Sequence, residues 1–411
     1  MKGLVKKWTD SSLIIKIVIG LLIGTVLGLI FPKATFIGIP GTLFIGALKA
    51  IAPVLVAVLV CSAIAKAGEG IGSRFKTVIL LYLATTFIAA IVAVIVSKLF
   101  PVKIMLSNVE AYGEAAPPSG LKEIFESLLV NMVQNPVKAV AEANYLGILF
   151  WAIILGLALK LMKAGRAIDV ITDLSEAVSK IVGWIIQLAP IGVMGIMYTN
   201  ISTNGLEIFA NYGQLILRLV GTMFFIALVI NPIIVAAFLK RNPYPLVFKC
   251  LKESGIPAFF TRSSAANIPV NMKLCAELGL DKDFYSVSIP LGSTINMDGA
   301  AITITIMSLA TANTLGINIP IPLAIVLAIV STLGAAGSSG VAGGSLLLIP
   351  MACSLMGIGN DISMEVVAIG FIIGVIQDSV ETALNSSGDV VLTATAEYYE
   401  KAKEKKNQAE K

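Results

Sequence analysis

No histidine occurs anywhere in the 411 residues. That absence removes Ser–His–Asp triads, histidine general bases and most zinc sites. Charge is also scarce. Asp, Glu, Lys and Arg make up 13% of the chain, against about 25% in a soluble domain. The four cysteines, Cys61, Cys250, Cys275 and Cys353, stand singly among apolar residues. No pair has the spacing of a metal site, so free thiols are expected. The net charge of +5 sits mostly at the edges of apolar runs and gives no footing for nucleic acid. What the chain has in excess is hydrophobic sequence, 57% of its residues.

A chain of this composition is an integral membrane protein, and only helix bundles or closed barrels satisfy every backbone polar group in lipid. The apolar runs are long and continuous rather than alternating, which favours an all-α membrane fold. Clear spanning candidates are Leu13–Phe31, Leu43–Ile64, Thr77–Phe100, Tyr145–Leu161, Ile181–Asn200 and Gln214–Leu239. Each is close to the roughly 20 residues that a bilayer needs. Lys2, Lys6 and Lys7 precede the first candidate, and Lys66, Arg74 and Lys76 follow the second. Lys160, Lys163 and Arg166 follow the fourth, and Lys240, Arg241, Lys249 and Lys252 follow the sixth. The positive-inside rule then puts the amino terminus in the cytoplasm. The N-terminal stretch lacks a cleavage-site pattern and reads as a cytoplasmic tail. The stretch 102–126, which mixes Lys with Glu110, Glu114, Glu123 and Glu126 and is broken by Ala116–Gly120, fits an outer loop.

From Ile256 the pattern changes. Small polar clusters cut the apolar sequence at Ser263–Asn267 (SSAAN), Asn296–Gly299 (NMDG), Gly337–Gly344 (GSSGVAGG) and Asn385–Asp389 (NSSGD). The first and third lie between apolar arms too short to cross alone, as in a re-entrant hairpin. Irregular backbone at membrane depth is tolerated only where protein or a cavity covers it. The order hairpin, broken span, hairpin, polar span reads as two related units, Ile256–Thr314 and Pro320–Ala396. Paired interruptions of this kind point to an inverted-repeat transporter with its site at the repeat interface.

Asp298 and Asn296 sit mid-span with no basic neighbour. A charge there costs about 2.5–3.5 kcal/mol on insertion scales, so intramembrane carboxylates are functional candidates by default. Gly299 is expected to loosen the helix. An unwound turn would free carbonyls beside a carboxylate, a hard-oxygen site suited to an alkali cation. In the last span, Asp378, Thr382, Asn385 and Asp389 are spaced 4, 3 and 4 apart and share one face. Tyr82, Thr85 and Thr86 in LYLATTF offer hydroxyls, although such groups usually bond back to their own helix. Helix N-termini at the hairpin tips, with Ser263 and Ser264 at one and Ser338 at the other, would attract a carboxylate. Asp378 could hold an ammonium. An intramembrane aspartyl protease would need two carboxylates sharing a proton, and a channel would leave the acidic stripe unexplained.

Together NMDG, the serine-rich first tip and N-x-x-G-D resemble the dicarboxylate/amino acid:cation symporter family across nearly the whole chain. FFTRSSAANIPVN and GSSGVAGGSLLLIP are most similar to its bacterial serine- and threonine-carrying members. The resemblance implies eight transmembrane helices plus two re-entrant hairpins, a homotrimer, and an elevator mechanism in the cell membrane. It implies a scaffold and trimerisation region over 1–250, to which span three is the exception, a transport core over 251–396 and a cytoplasmic tail over 397–411. Sodium would be held at three places. One is formed by Gly292, Asn296, Asn385 and Asp389. A second is formed by Thr294 and Met297 with Ala335, Gly337 and Ser338. A third is formed by Tyr82, Thr85 and Thr86 with Asn296 and Asp298. The substrate would lie among Arg262, Ser263, Ser264, Gly340, Val341, Asp378, Glu381, Thr382 and Asn385.

Acidic-substrate members of that family carry Thr after NMDG and Arg three residues after the substrate-binding Asp. This chain has Ala300 and Glu381 instead. An acidic side chain would lose a hydroxyl and a bidentate guanidinium and would meet a like charge. Serine and threonine are therefore expected as substrates. The alternatives are acidic or dicarboxylate substrates and a broader neutral set that includes alanine and cysteine. Glu381 is further expected to pair with Arg262, because a lone buried carboxylate is costly.

Overall fold

A computed structural model of the chain describes residues 13–66, 73–106, 130, 132–336, 338 and 343–409. The amino-terminal lysines, most of the expected outer loop, and Gly337, Gly340 and Val341 of the second tip lie outside the described residues. The described chain is helical, with no strand among its residues.

The first half supplies α1 (Leu13–Ile30), α2 (Ile39–Lys66), α3 (Ser73–Leu99), the short α4 (Pro136–Ala141), α5 (Tyr145–Leu161), α6 (Gly165–Gln187) and α7 (Ala189–Asn204). α1 packs on α7, and α2 packs on α5, α6 and α7. Gly20 and Gly24 let α1 approach the α7 backbone. A Cβ on them would lie 2.1 Å from the Pro190 carbonyl oxygen and 2.3 Å from that of Met194. Small residues are how membrane helices gain contact without a hydrophobic drive between them.

The expected fifth span, Ile181–Asn200, is not one straight helix. α6 and α7 meet at a 56° bend. Pro190, in the first turn of α7, cannot donate a backbone bond into the preceding turn. α6 also begins sixteen residues earlier than expected (181 against 165), because Arg166, Asp169, Asp173, Glu176 and Lys180 recur at three- and four-residue intervals and leave the other face apolar.

α8 (Ile208–Phe225) continues through a π turn, Ile226–Ile230, into α9 (Asn231–Leu239). α10 (Tyr244–Cys250) likewise runs through a π turn, Leu251–Gly255, into α11 (Ile256–Thr261). Each π turn is followed at once by a proline in the first helical turn, Pro232 or Pro257. A missing N–H there breaks the regular ladder. The first hairpin arm thus reaches back to Tyr244, earlier than Ile256. Its tip is Arg262 and Ser263, after which α12 (Ser264–Glu277) returns.

α13 (Lys282–Ile295) and α14 (Asp298–Thr314) are two halves of one broken span. α15 (Ile321–Ala335) leads to the second tip, followed by a 3-10 turn, Ser345–Leu348, and α16 (Ile349–Ser354). The last helix, α17, runs from Asn360 to Ala409. It is the axle of the second half, packed against α11, α12, α13, α14 and α16 and also against α3. α3 further contacts α14 and α15.

Residues 397–409 are helical. α17 continues through them, Glu397 is fully buried, and its carboxylate accepts the Asp281 backbone N–H. At the same end, Arg74 bonds Asp281 at 2.9 Å. That guanidinium, with the Asp283 N–H, holds the Asp281 carboxyl below its usual range.

Five helical stretches among the described residues are long and apolar enough to cross a bilayer: Thr35–Lys66, Ser73–Leu99, Phe209–Leu239, Lys282–Thr314 and Asn360–Glu404. The bent pair α6–α7 makes six when taken as one. The protein is a multi-pass membrane protein.

Candidate functional site

The site begins with the break between α13 and α14. Asn296 (φ −92°, ψ 83°) and Met297 (φ −124°, ψ 51°) leave the helical region between α13 and α14. Asp298 is the first residue of α14, so its carboxylate stands at a helix N-terminus, where partial positive charge favours it. Gly299 is not the breaker it was expected to be. It lies inside α14, and a Cβ on it would sit 2.9 Å from the Glu381 Cα, Cγ and backbone oxygen. Its absent side chain lets α14 and α17 touch.

Two other helices, α3 and α17, converge on the break. From α3, Thr86 accepts the Met297 N–H at 3.2 Å and donates to Asp298 Oδ1 at 3.0 Å. Thr85 is 3.4 Å from Asn296 Oδ1 but also donates to its own helix at Tyr82, 3.1 Å. From α17, Asp389 Oδ1 accepts from Asn296 Nδ2 at 2.9 Å, and Asn385 O accepts from the same amide at 3.1 Å. Asn385 Oδ1 accepts the Gly299 N–H at 2.7 Å, which caps the half-helix from outside. Tyr82 OH lies 2.8 Å from Thr393 Oγ1 and donates toward the carbonyls of Ser288 and Asp389. Gly292 and Gly388 make room. A Cβ on Gly292 would be 2.8 Å from both Asp389 Oδ1 and Tyr82 OH, and one on Gly388 would be 2.9 Å from Asn296 Nδ2.

Asp298 and Asp389 are both fully buried. One oxygen of each, Asp298 Oδ2 and Asp389 Oδ2, is buried with no hydrogen-bond partner among the described residues. A buried carboxylate oxygen left bare is costly. Two of them, among hydroxyls, amides and the carbonyls of an unwound turn, suit a hard monovalent cation.

About two to three turns along α17, roughly 12–16 Å at 1.5 Å per residue, lies a second cluster. Arg262 Nε donates to Asp378 Oδ2 at 2.6 Å, both side chains being under a tenth exposed. Asp378 Oδ1 also accepts the Gly343 N–H at 3.3 Å, from the exit of the second tip. The expected partner of Arg262 was Glu381, and the structure corrects this. Arg262 is in the left-handed region (φ 52°) and caps α11. From there its guanidinium reaches Asp378, one turn before Glu381. Glu381 is held instead by neutral donors: Thr303 at 2.7 Å, Ser345 at 3.0 Å and Gln377 at 2.5 Å.

The remaining expected residues fall as follows. Ser263 caps α12 by accepting the Ala266 N–H, and Ser264 is buried at its start. Thr382 donates to its own helix at the Asp378 carbonyl. Ala335 and Ser338 are buried, with Ser338 N bonded to Ala335 O at 2.9 Å. Thr294 is exposed and its hydroxyl bonds back to Leu291. Met297 turns its sulfur toward Asn385 Nδ2.

Several residues of the candidate site escaped the sequence reading: Thr303, Ser345 and Gln377 around Glu381, and Ser288 and Thr393 around Tyr82. A buried network of Ser254, Asn267, Asn271 and Ser386, which ties the first hairpin to α17, was also missed. Gln377 carried a readable signal, because it stands four residues before Glu381 on one helix. Asn267 and Ser386 fall within the SSAAN and NSSGD clusters, but the rest are small hydroxyl or amide residues with no distinguishing pattern.

A family model described as the sodium:dicarboxylate symporter family matches residues 13–398. A serine/threonine transporter, SstT, of Bifidobacterium adolescentis is 58% identical over 399 residues, covering 97% of this chain and 92% of that protein. One of the same name from Streptococcus agalactiae is 57% identical, with 97% and 98% covered. Another, from Streptococcus thermophilus, is 54% identical over the same shares.

Proposed function

The chain belongs to the sodium:dicarboxylate symporter family, and from that premise we propose that it couples sodium entry to the uptake of serine and threonine. The observation that carries the reading is the pair of bare, buried carboxylate oxygens, Asp298 Oδ2 and Asp389 Oδ2, at the break of a membrane helix. Names shared by relatives at 54–58% identity support the substrate.

Asp389 with Gly292, Asn296 and Asn385 takes one sodium ion. Asp298 with Thr85, Thr86, Tyr82 and Asn296 takes another. The backbone of Thr294, Met297, Ala335, Gly337 and Ser338 takes a third. The amino acid lies between the two tips and α17. Asp378 takes its ammonium, sharing or surrendering Arg262. Asn385, Ser264 and the tip amides of Gly340 and Val341 take its carboxylate, with Thr382 and Ser263 alongside. Glu381 and Ala300 exclude an acidic side chain, because no cation lies on Glu381 to receive one.

Transport is of the elevator kind. Eight spans and two hairpins are divided between a fixed scaffold (α1, α2 and α5 to α9) and a moving core (α10 to α17 with α3), and both termini are cytoplasmic. The packing of α3 on α14, α15 and α17 supports its place in the core. Three copies assemble through the scaffold. The exposed apolar stripe of Val170, Leu174, Ile181, Trp184 and Leu188 along α6 supports a contact there.

The test is uptake of radiolabelled serine into proteoliposomes under an inward sodium gradient, at constant pH, against choline in place of sodium. Accumulation should need sodium and saturate with serine. Equal uptake in choline, or none in either, would overturn the reading.

A further inference from the structure

The Glu381 carboxylate is bonded asymmetrically. Thr303 Oγ1, Ser345 Oγ and Gln377 Nε2 all donate to one oxygen, Oε2, at 2.7, 3.0 and 2.5 Å. No donor reaches Oε1 among the described residues. Gln377 turns its amide nitrogen to Glu381. Its Nε2 serves both Glu381 and Thr303, the latter at 2.7 Å. Reversed, its oxygen would face Glu381 Oε2, acceptor against acceptor. The three donors come from α14, from the turn after the second tip and from α17 itself, so three elements fix one rotamer. Gly299 presses the backbone of α14 against Glu381 from the side. Arg262 is bonded to Asp378 and not to Glu381. The result is an oriented carboxylate with one saturated oxygen and one left for a ligand.

We propose that Thr303, Ser345 and Gln377 are positioning residues for Glu381, and that they aim its Oε1 to accept the hydroxyl of a serine or threonine substrate. This rests on the transport reading above and adds what distinguishes a hydroxy amino acid from alanine. A charge-assisted bond to the hydroxyl is roughly twice as strong as a neutral one. It gives the site a preference that shape alone does not give, since serine exceeds alanine by a single oxygen.

In Glu381→Gln, the amide oxygen would take the three donors and turn its NH2 toward the ligand. The hydroxyl could then meet only a neutral donor. The serine-to-alanine ratio of kcat/KM should fall about five- to ten-fold, mainly through a higher KM for serine. Thr303→Val removes one donor at constant shape, so the carboxylate loosens and the ratio should fall about two- to three-fold. Thr303→Ser keeps the hydroxyl and should restore the ratio.

The measurement is initial sodium-driven uptake of labelled serine and of labelled alanine by the full chain in proteoliposomes. Thermal unfolding of each purified variant identifies any that misfolds, and the Thr303 pair then decides. The proposal is overturned if the ratio is unchanged in Glu381→Gln and Thr303→Val, or if both substrates lose affinity by the same factor. Equal losses would mean that Glu381 holds the ammonium or acts through the fold. Wild-type protein that takes up no serine would sink the transport reading. Wild-type that takes up serine and alanine equally well would sink this proposal alone.

Discussion

Arg262 and Asp378 show what one residue can decide. Both are buried, and each cancels the other's charge at 2.6 Å. Removing one partner of such a pair leaves an uncompensated charge and costs about 3–5 kcal/mol, more than the pair itself contributes. Arg262→Ala should therefore destabilise the detergent-solubilised protein strongly, and so should Asp378→Asn to a lesser degree. The double variant should lose less than the sum of the two, by at least about 1 kcal/mol, as contacting residues do. The same cycle run with Arg262→Ala and Glu381→Gln should be close to additive. Coupling to Glu381 instead, read from thermal or denaturant unfolding, would refute the geometry described here. The carboxylates were legible in the sequence, because a charge in an apolar run has few explanations. Their pairing was not. Asp378 and Glu381 are one turn apart on one helix, and which of them meets Arg262 depends on the left-handed turn at the hairpin tip. No spacing rule encodes that direction.

At the level of the helix, the span made of α13 and α14 is broken by what it meets as much as by its own residues. The turn at Asn296 and Met297 is held by Thr86, Asn385 and Asp389 from two other helices. The glycines around it are places of approach. A methyl group at Gly299 would strike backbone of α17 at 2.9 Å, and one at Gly388 would strike the movable amide of Asn296, also at 2.9 Å. The two variants should therefore differ. Gly299→Ala forces two buried helices apart and should cost about 1–3 kcal/mol of stability. Gly388→Ala can be absorbed by swinging Asn296 off Asp389, so the fold should tolerate it better. Its penalty should appear as weaker sodium dependence, with the half-saturating sodium concentration raised several-fold. Comparing melting temperature with the sodium dependence of uptake separates the two. If both variants lose stability alike, Asn296 is more rigid than argued. The break itself was legible from NMDG. The glycine's role, the π turns before Pro232 and Pro257, and the 56° bend at Leu188 were not. Each depends on a neighbour or on a proline's effect one turn away, which the hydropathy of a segment does not register.

Across the whole molecule, the polar clusters that begin after Ile256 gather around α17, on which α3, α8 and α9 of the first half also pack. The first half is apolar helices joined through small residues. The second half is buried polar groups gathered around α17. How the two faces meet was not legible, because the residues that meet are ordinary ones. Lys49 of α2 forms an ion pair with Asp361 in the first turn of α17. Beside it lies a cavity of about 780 Å³, lined on one side by Gly41, Thr42 and Lys49 and on the other by Asn360, Asp361 and Glu365. Both partners are exposed, so the pair contributes little to stability. It does mark a seam that the elevator reading requires to slide. Lys49→Cys with Asp361→Cys gives two accessible thiols across that seam, while the native cysteines Cys61, Cys250, Cys275 and Cys353 are buried. A short disulfide-containing bifunctional thiol reagent should join the pair and stop serine uptake in proportion to the fraction joined. Reductant should restore it, and each single-cysteine variant should keep its uptake under the same treatment. A motion confined to the hairpin tips would leave α2 and α17 fixed against each other, and the joined protein would then carry serine at the unmodified rate. That outcome would remove the sliding core and leave only local gating.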